Sequence, residues 1–278
     1  MNRTAWRVAV IGAGPVGLAL ALHGSRLMPQ ACFTVYDARP AERDIAADPR
    51  TLALAEGSVM FLRRLGCWPA ELAAPITSVH VSQVPPSPGQ PQVLIDAASL
   101  GVAQLGAVLS YGALVAPLQQ AWLQAVAAEP ARLAMRFGTP VHSVETSGAE
   151  AVLRVEGEGA ARPHDLAVVA EGGVFAEQAR KALRHDYKQT AWVGTVVLDG
   201  GEAGGASGAH GRAYERFTRQ GPAALLPLPP LPSSPPGRHR AALVWCVDAG
   251  DDPVRALDAS QRLAVLNTLF PAEAGRIV

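Results

Sequence analysis

Arg7-Val-Ala-Val-Ile11-Gly12-Ala13-Gly14-Pro15-Val16-Gly17 opens a stretch that runs on to Asp37 (RVAVIGAGPVGLALALHGSRLMPQACFTVYD), and this stretch decides the fold. Arg7 to Ile11 is a short apolar run rich in β-branched residues, the composition of a buried strand. Glycines interrupt it, and Pro15 to Leu27 follows as a helix with Val16, Leu20 and Leu27 on one face. Phe33 to Tyr36 is a second strand, closed by Asp37. Two strands joined by a helix over so short a span make a βαβ unit, because parallel strands need a crossover of that kind.

Gly12, Gly14 and Gly17 have the GxGxxG spacing. In such a turn the first glycine bends the chain, the second admits a pyrophosphate to the backbone, and the third lets helix and strand pack closely. The helix N-terminus adds N–H groups and a partial positive charge. The spacing by itself is common in a chain rich in alanine and glycine. Here it has a strand before it, a helix after it, and an acid, Asp37, at the end of the second strand, where a carboxylate accepts ribose hydroxyls. The expectation is dinucleotide binding, with the choice of dinucleotide left open; the alternative is a structural glycine turn. A second run, Asp165 to Gly173 (DLAVVAEGG), is an apolar strand ending in Glu171 and Gly172. The carboxyl ends of strands form the ligand crevice of a doubly wound sheet, so Glu171 is a candidate for a cofactor hydroxyl. Taken alone, an acid and glycine at a strand end read as a turn.

Along the rest of the chain, Thr51 to Leu65 reads as a helix with Val59, Leu62 and Leu65 spaced for burial. Ile76 to Val84 and Gln92 to Ile95 read as strands joined by PPSPGQP. Leu114, Leu118, Trp122 and Val126 mark a helix over about 113–128. Short strands follow near 133–137, 141–145, 151–156 and 165–170. Runs at 189–198, 212–219, 223–228 and 240–247 read as antiparallel strands, separated by the loop compositions GGEAGGASGAHG and PLPPLPSSPPGRHR. There is no internal repeat.

Composition narrows the chemistry. Lysine plus arginine and aspartate plus glutamate balance at 24 each, with no basic strip, which argues against a nucleic-acid partner. Cys32, Cys67 and Cys246 are far apart and form no CxxC pair, so neither a disulfide framework nor a zinc site is indicated and a reducing cytoplasm is the expected compartment. The seven histidines show no HxH or HExxH spacing, no P-loop lysine follows the glycine turn, and no GxSxG is present. Asp248, Asp251 and Asp252 lie beside glycine and proline and read as a solvated turn, so no metal site is expected. No apolar stretch reaches 18 residues and the N-terminus lacks the pattern of a signal peptide, while contact with a membrane surface stays open.

Five segments occur in a shared order: VAVIGAGPVGLALAL, DPRTLALAEGSVMFLRRLG, LAVVAEGGVF, HDYKQTAWVGTV and AYERFTRQGPAALLPLP. Together they resemble the ubiquinone-biosynthesis hydroxylases, flavoprotein monooxygenases of the para-hydroxybenzoate hydroxylase fold, over nearly the whole chain. The resemblance implies an α/β protein in which an FAD-binding Rossmann-like domain of glutathione-reductase type (residues 1–75 and 99–185) is interleaved with a mostly antiparallel β substrate domain (residues 76–98 and 186–278).

It further implies FAD in the turn of Gly12, Gly14, Pro15, Val16 and Gly17, with Asp37 on the adenosine ribose and Arg39 beside it. Arg50 matches the arginine that approaches FAD in the family; without the resemblance it reads as an exposed arginine at a helix start. Glu171-Gly172 stands in the place of an Asp-Gly pair, with the carboxylate one methylene further out. Tyr214, Phe217, Leu225 and Pro227 would lie on the sheet that roofs the substrate pocket, a segment that ordinary core packing explains equally well. The implied reaction is hydroxylation of a phenol, polyprenylated in the family, through a flavin C4a-hydroperoxide with NAD(P)H as transient donor and no catalytic side-chain acid or base. A polyprenyl substrate would bring the protein to the inner face of a membrane or into a biosynthetic complex. The family's later flavin motif, a Gly-Asp followed by histidine, proline and glycines, is missing before Val278. A fragment and an inactive truncated flavoprotein or scaffold are therefore alternative expectations, and an NAD-dependent reductase is another, because the first βαβ unit fits either cofactor.

Overall fold

The computed structural model describes residues 5–86, 92–157, 161–172, 185–200, 211–231 and 237–278. In chain order its strands and helices begin β1 (Arg7–Ile11), α1 (Pro15–Leu27), β2 (Cys32–Tyr36), β3 (Thr51–Ala55), α2 (Glu56–Leu65), β4 (Ala74–Ile76), β5 (Ser78–Gln83) and β6 (Gln92–Asp96). There follow β7 (Gly106–Ser110), α3 (Tyr111–Ala128), β8 (Leu133–Arg136), β9 (Val141–Ser147), β10 (Glu150–Val155), β11 (Arg162–His164) and β12 (Leu166–Val169). The last are β13 (Gln189–Asp199), β14 (Arg212–Phe217), β15 (Pro222–Pro227), β16 (Arg238–Asp248), α4 (Ala259–Leu269) and β17 (Arg276–Ile277). Gly173 to Phe175, residues 87–91 of the first proline-rich turn, and residues 201–210 and 232–236 of the two later loops lie outside the described residues.

Contacts divide the chain into two compact units: Met1–Pro49, Phe61–Pro69 and Tyr111–Arg184 in the first, and Arg50–Met60, Ala70–Ser110 and His185–Val278 in the second. These limits differ from a division at 75/76 and 98/99, and the cause is local. Thr51–Ala55, predicted as the start of a helix, is strand β3, hydrogen-bonded antiparallel to β7, which also pairs with β4. Leu52 and Leu54 alternate with smaller residues, the two-residue period of a strand, and the helical spacing of Val59, Leu62 and Leu65 begins only after Glu56. Those three residues are indeed buried.

The first unit is built on a parallel sheet in the order β12-β1-β2-β8, with β9, β10 and β11 forming a separate antiparallel sheet. Val8 to Ile11, Phe33, Val35 and Tyr36 are almost wholly buried, as parallel strands covered on both faces require. Helices α1 and α3 pack together. Leu114, Leu118 and Trp122 of α3 are buried as their spacing predicts. The buried side of α1 differs from the predicted one: Gly17, Leu18, Ala21 and Leu22 face inward, while Val16 and Leu27 are exposed. The tight approach of Gly17 to the glycine turn sets the rotation of the helix and brings its small residues to the inner side.

The second unit is dominated by a seven-stranded sheet in the order β17-β13-β16-β15-β14-β5-β6. All its pairings are antiparallel except that of β14 with β5. Helix α4 was not foreseen in the sequence; it starts at an Asp258–Gln261 capping box, a reciprocal pair of side-chain to backbone bonds. Its Leu263 and Leu266 cover one side of the sheet over Tyr214, Leu225 and Leu243. Ile76 and Val108 of the small β3-β7-β4 sheet pack instead against Ala213, on the other side.

Candidate functional site

The glycine turn is shaped by close backbone approaches that only glycine permits. Gly12 has φ +104°, and a Cβ there would stand 2.7 Å from the Ala170 carbonyl oxygen, just past β12. A Cβ on Gly17 would run into the carbonyl oxygen of Gly12. The Gly12 N–H donates to Tyr36 O at 2.7 Å, and the Ala170 N–H donates to Ile11 O at 2.7 Å, so the carboxyl ends of β1, β2 and β12 converge on the turn. Helix α1 then begins at Pro15, which has no N–H to leave unsatisfied. The amides of Val16 and Gly17 fall in the first turn, where no intrahelical acceptor exists, and no acidic residue there offsets the positive end of the helix dipole.

Asp37 is the organising group at this edge. Its Oδ2 accepts the Ala13 N–H at 2.6 Å, and its Oδ1 accepts the Arg39 N–H at 2.8 Å. A carboxylate has about four lone-pair positions, so acceptor capacity remains. The Arg39 side chain, only 10% exposed, places Nε 3.7 Å from Asp37 Oδ1. Its Nη2 donates to Gln119 Oε1 at 2.8 Å, and its guanidinium lies 5.5 Å from the centre of the Phe137 ring. Its Nη1 is buried with no hydrogen-bond partner among the described residues.

Glu171 follows β12 on the same edge. Partial burial, and next the Asp37 carboxylate, push its carboxyl above the usual range. A raised folded value means that the protonated acid is favoured by folding, so this stability is present below the ordinary glutamate range and is lost as pH rises through the raised value. Glu171→Gln is therefore expected to leave thermal stability unchanged at pH 4 and to raise it modestly at pH 7, as thermal unfolding at the two pH values would show.

The structure gathers Gly12, Gly14, Pro15, Gly17, Asp37 and Arg39 within the first unit, with Val16, Glu171 and Gly172 exposed beside them. Arg50 belongs to the second unit, exposed immediately before β3. Two further residues went unnoticed in the sequence. The Tyr111 hydroxyl, at the start of α3, lies 3.2 Å from where a Gly14 Cβ would be, and Gln119 fixes Arg39. No spacing rule links either to the glycine turn; only the packing of α3 beside α1 does.

In the second unit, Tyr214 and Leu225 are buried beneath α4, and the Tyr214 hydroxyl donates to Glu273 O at 3.0 Å. With Pro227 they line a cavity of about 310 Å3 that Arg212 and His239 also border. Phe217 is exposed and, by strand alternation, points to the opposite side of the sheet. Among the described residues there is no group of histidine, cysteine and acidic side chains able to hold a metal, and no helix long and apolar enough to cross a membrane.

No family model matches the chain. Solved structures do resemble it. The p-nitrophenol 4-monooxygenase PnpA from Pseudomonas putida DLL-E4 is 15% identical with a TM-score of 0.61, the match covering 98% of this chain and 64% of PnpA. Klebsiella pneumoniae HpxO, complexed with FAD and uric acid, is 17% identical with a TM-score of 0.60, over 95% of this chain and 61% of HpxO. The flavin-dependent halogenase CmlS is 18% identical with a TM-score of 0.65, over 100% of this chain and 49% of CmlS. The chain thus spans less than two thirds of the length of each, and what it shares with these three flavin- or phenol-handling proteins is the fold.

Proposed function

We propose that this protein is an FAD-dependent aromatic monooxygenase. The observation that carries this reading is the meeting of the Gly12–Gly17 turn, Asp37 and Glu171 at the carboxyl ends of three neighbouring parallel strands. The residues fit FAD on physical grounds. The turn is a cradle that side chains on Gly12 or Gly17 would fill, and Arg39 Nη1 is a buried donor still lacking an acceptor. In a glutathione-reductase-type arrangement, the first-turn amides of α1 would hold the pyrophosphate, Asp37 the adenosine ribose, and Glu171 a hydroxyl further along the cofactor.

FAD, when bound, supplies the redox and oxygen-activating chemistry. The chain's own part is to bind and orient: the first unit holds the cofactor, and the sheet of the second unit takes an aromatic ring. NAD(P)H serves as transient donor, and no side chain is assigned as catalytic acid or base. The resemblance to the ubiquinone-biosynthesis hydroxylases supports a phenol substrate carrying a polyprenyl tail, and with it contact of the protein with a membrane surface.

The full-length protein, purified and heated to release its flavin, is expected to yield stoichiometric FAD and to oxidise NAD(P)H faster when a phenol is added. A protein that stays colourless after mixing with FAD would overturn the proposal.

A further inference from the structure

The middle of the seven-stranded sheet carries one carboxylate where a valine would be expected. Pairing registers place Glu215 of β14 between Val81 of β5 and Ala224 of β15. The same row continues through Val93 of β6 on one side and through Val244 of β16 and Val193 of β13 on the other. Alternation along β14 puts Glu215 and Phe217 on the side of Ala213, away from the side that α4 covers at Tyr214. This side is unusually apolar for a surface: Val193 is 68% exposed, Phe217 52% and Val93 42%.

Glu215 is half-buried there and has no hydrogen bond or ion pair with another described residue. Burial alone pushes its carboxyl above the usual range. The two arginines of the same strand point to the other side of the sheet, where Arg212 Nε donates to the Ser78 hydroxyl and Arg216 Nη1 to the Ser82 hydroxyl. A half-desolvated acid without a partner costs stability, and at this position a β-branched residue would suit the strand better. Such a cost is characteristic of groups kept for a ligand.

We propose that Glu215 accepts a hydrogen bond from the ring hydroxyl of the aromatic substrate, whose apolar face lies against Val81, Ala224 and Val244. The assignment rests on the monooxygenase reading above and gives that reading its specificity residue. It selects ring compounds carrying an O–H donor over those in which the oxygen is capped, because a capped oxygen leaves the buried acid unpaired.

The test compares para-cresol with 4-methylanisole, which has the same ring and methyl group but no hydroxyl proton, by calorimetric titration of the FAD-loaded full-length protein. The unaltered protein should bind para-cresol roughly tenfold more tightly or better, the scale of one hydrogen bond to a charged group. Glu215→Val should bring the ratio near one while leaving 4-methylanisole binding in place, and should not lower thermal stability, since it completes the valine row. Glu215→Gln, which keeps a neutral acceptor, should give an intermediate ratio and serves if the valine variant does not fold. A ratio unchanged in either variant, or no preference in the unaltered protein, overturns the role of Glu215. If the protein holds no FAD and ignores phenols altogether, the monooxygenase reading itself has failed; if it holds FAD and responds to phenols but the ratio does not move, only the Glu215 assignment has.

Discussion

Gly17→Val is expected to abolish FAD binding and to leave the first unit poorly folded. Even the Cβ atom would overlap the Gly12 carbonyl oxygen, which is backbone and cannot swing aside. Helix α1 would have to move off β1, and with it the amides of Val16 and Gly17 that the proposal assigns to the pyrophosphate. Inserting side-chain atoms into so tight a contact costs about 1–3 kcal/mol or more through backbone displacement. Retained flavin after gel filtration, read with the thermal midpoint, checks both effects. Gly57→Val is the control: Gly57 lies in α2 with nothing within 4 Å of its Cβ direction, so loss of flavin there as well would show that the chain is merely intolerant of substitution. Stoichiometric FAD in the Gly17 variant would remove the glycine turn from the cofactor site.

The contrast between these two glycines shows what the sequence could and could not reveal. Gly12, Gly14 and Gly17 announce themselves because strand, turn and helix are contiguous, and local spacing encodes their geometry. Asp37 is legible for the same reason, standing at the end of the next strand. Helix α1 was placed correctly, yet its buried side was not, because an alanine- and leucine-rich helix offers several apolar stripes and only the backbone contact at Gly17 selects one. Thr51–Ala55 failed differently: its strand identity depends on partners at Gly106–Ser110, more than 50 residues away in the chain, and helical spacing downstream masked it. Gln119 and Tyr111 reach the glycine turn only through the packing of α3, a contact without local signature. Glu215 lies in AYERFTRQGPAALLPLP, one of the segments that carry the resemblance, but only the registers of five neighbouring strands show that it is alone among apolar residues.

Asp37→Ala is expected to be the most damaging single change to the fold that leaves the glycines intact. It removes the acceptor of two backbone N–H groups, those of Ala13 and Arg39, and the carboxylate facing the Arg39 guanidinium. Leaving one partner of such a part-buried pair uncompensated costs about 3–5 kcal/mol, and the orphaned amides add to the loss. FAD affinity should fall by roughly a hundredfold or more, because the proposed ribose acceptor disappears together with the anchor of the turn. Asp37→Asn separates the two contributions: its amide oxygen can satisfy one N–H, while its NH2 faces the other donor, so stability should recover in part and affinity much less. The decisive comparison is a double-mutant cycle with Arg39→Met, measured by denaturant unfolding. Once the guanidinium is gone, Asp37 has no cation to compensate, and the combined loss should fall short of the sum of the single losses by about 0.5–3 kcal/mol. Additive losses would mean that Arg39 is held by Gln119 and Phe137 alone, and that the Asp37 carboxylate acts on the turn only through its two backbone bonds.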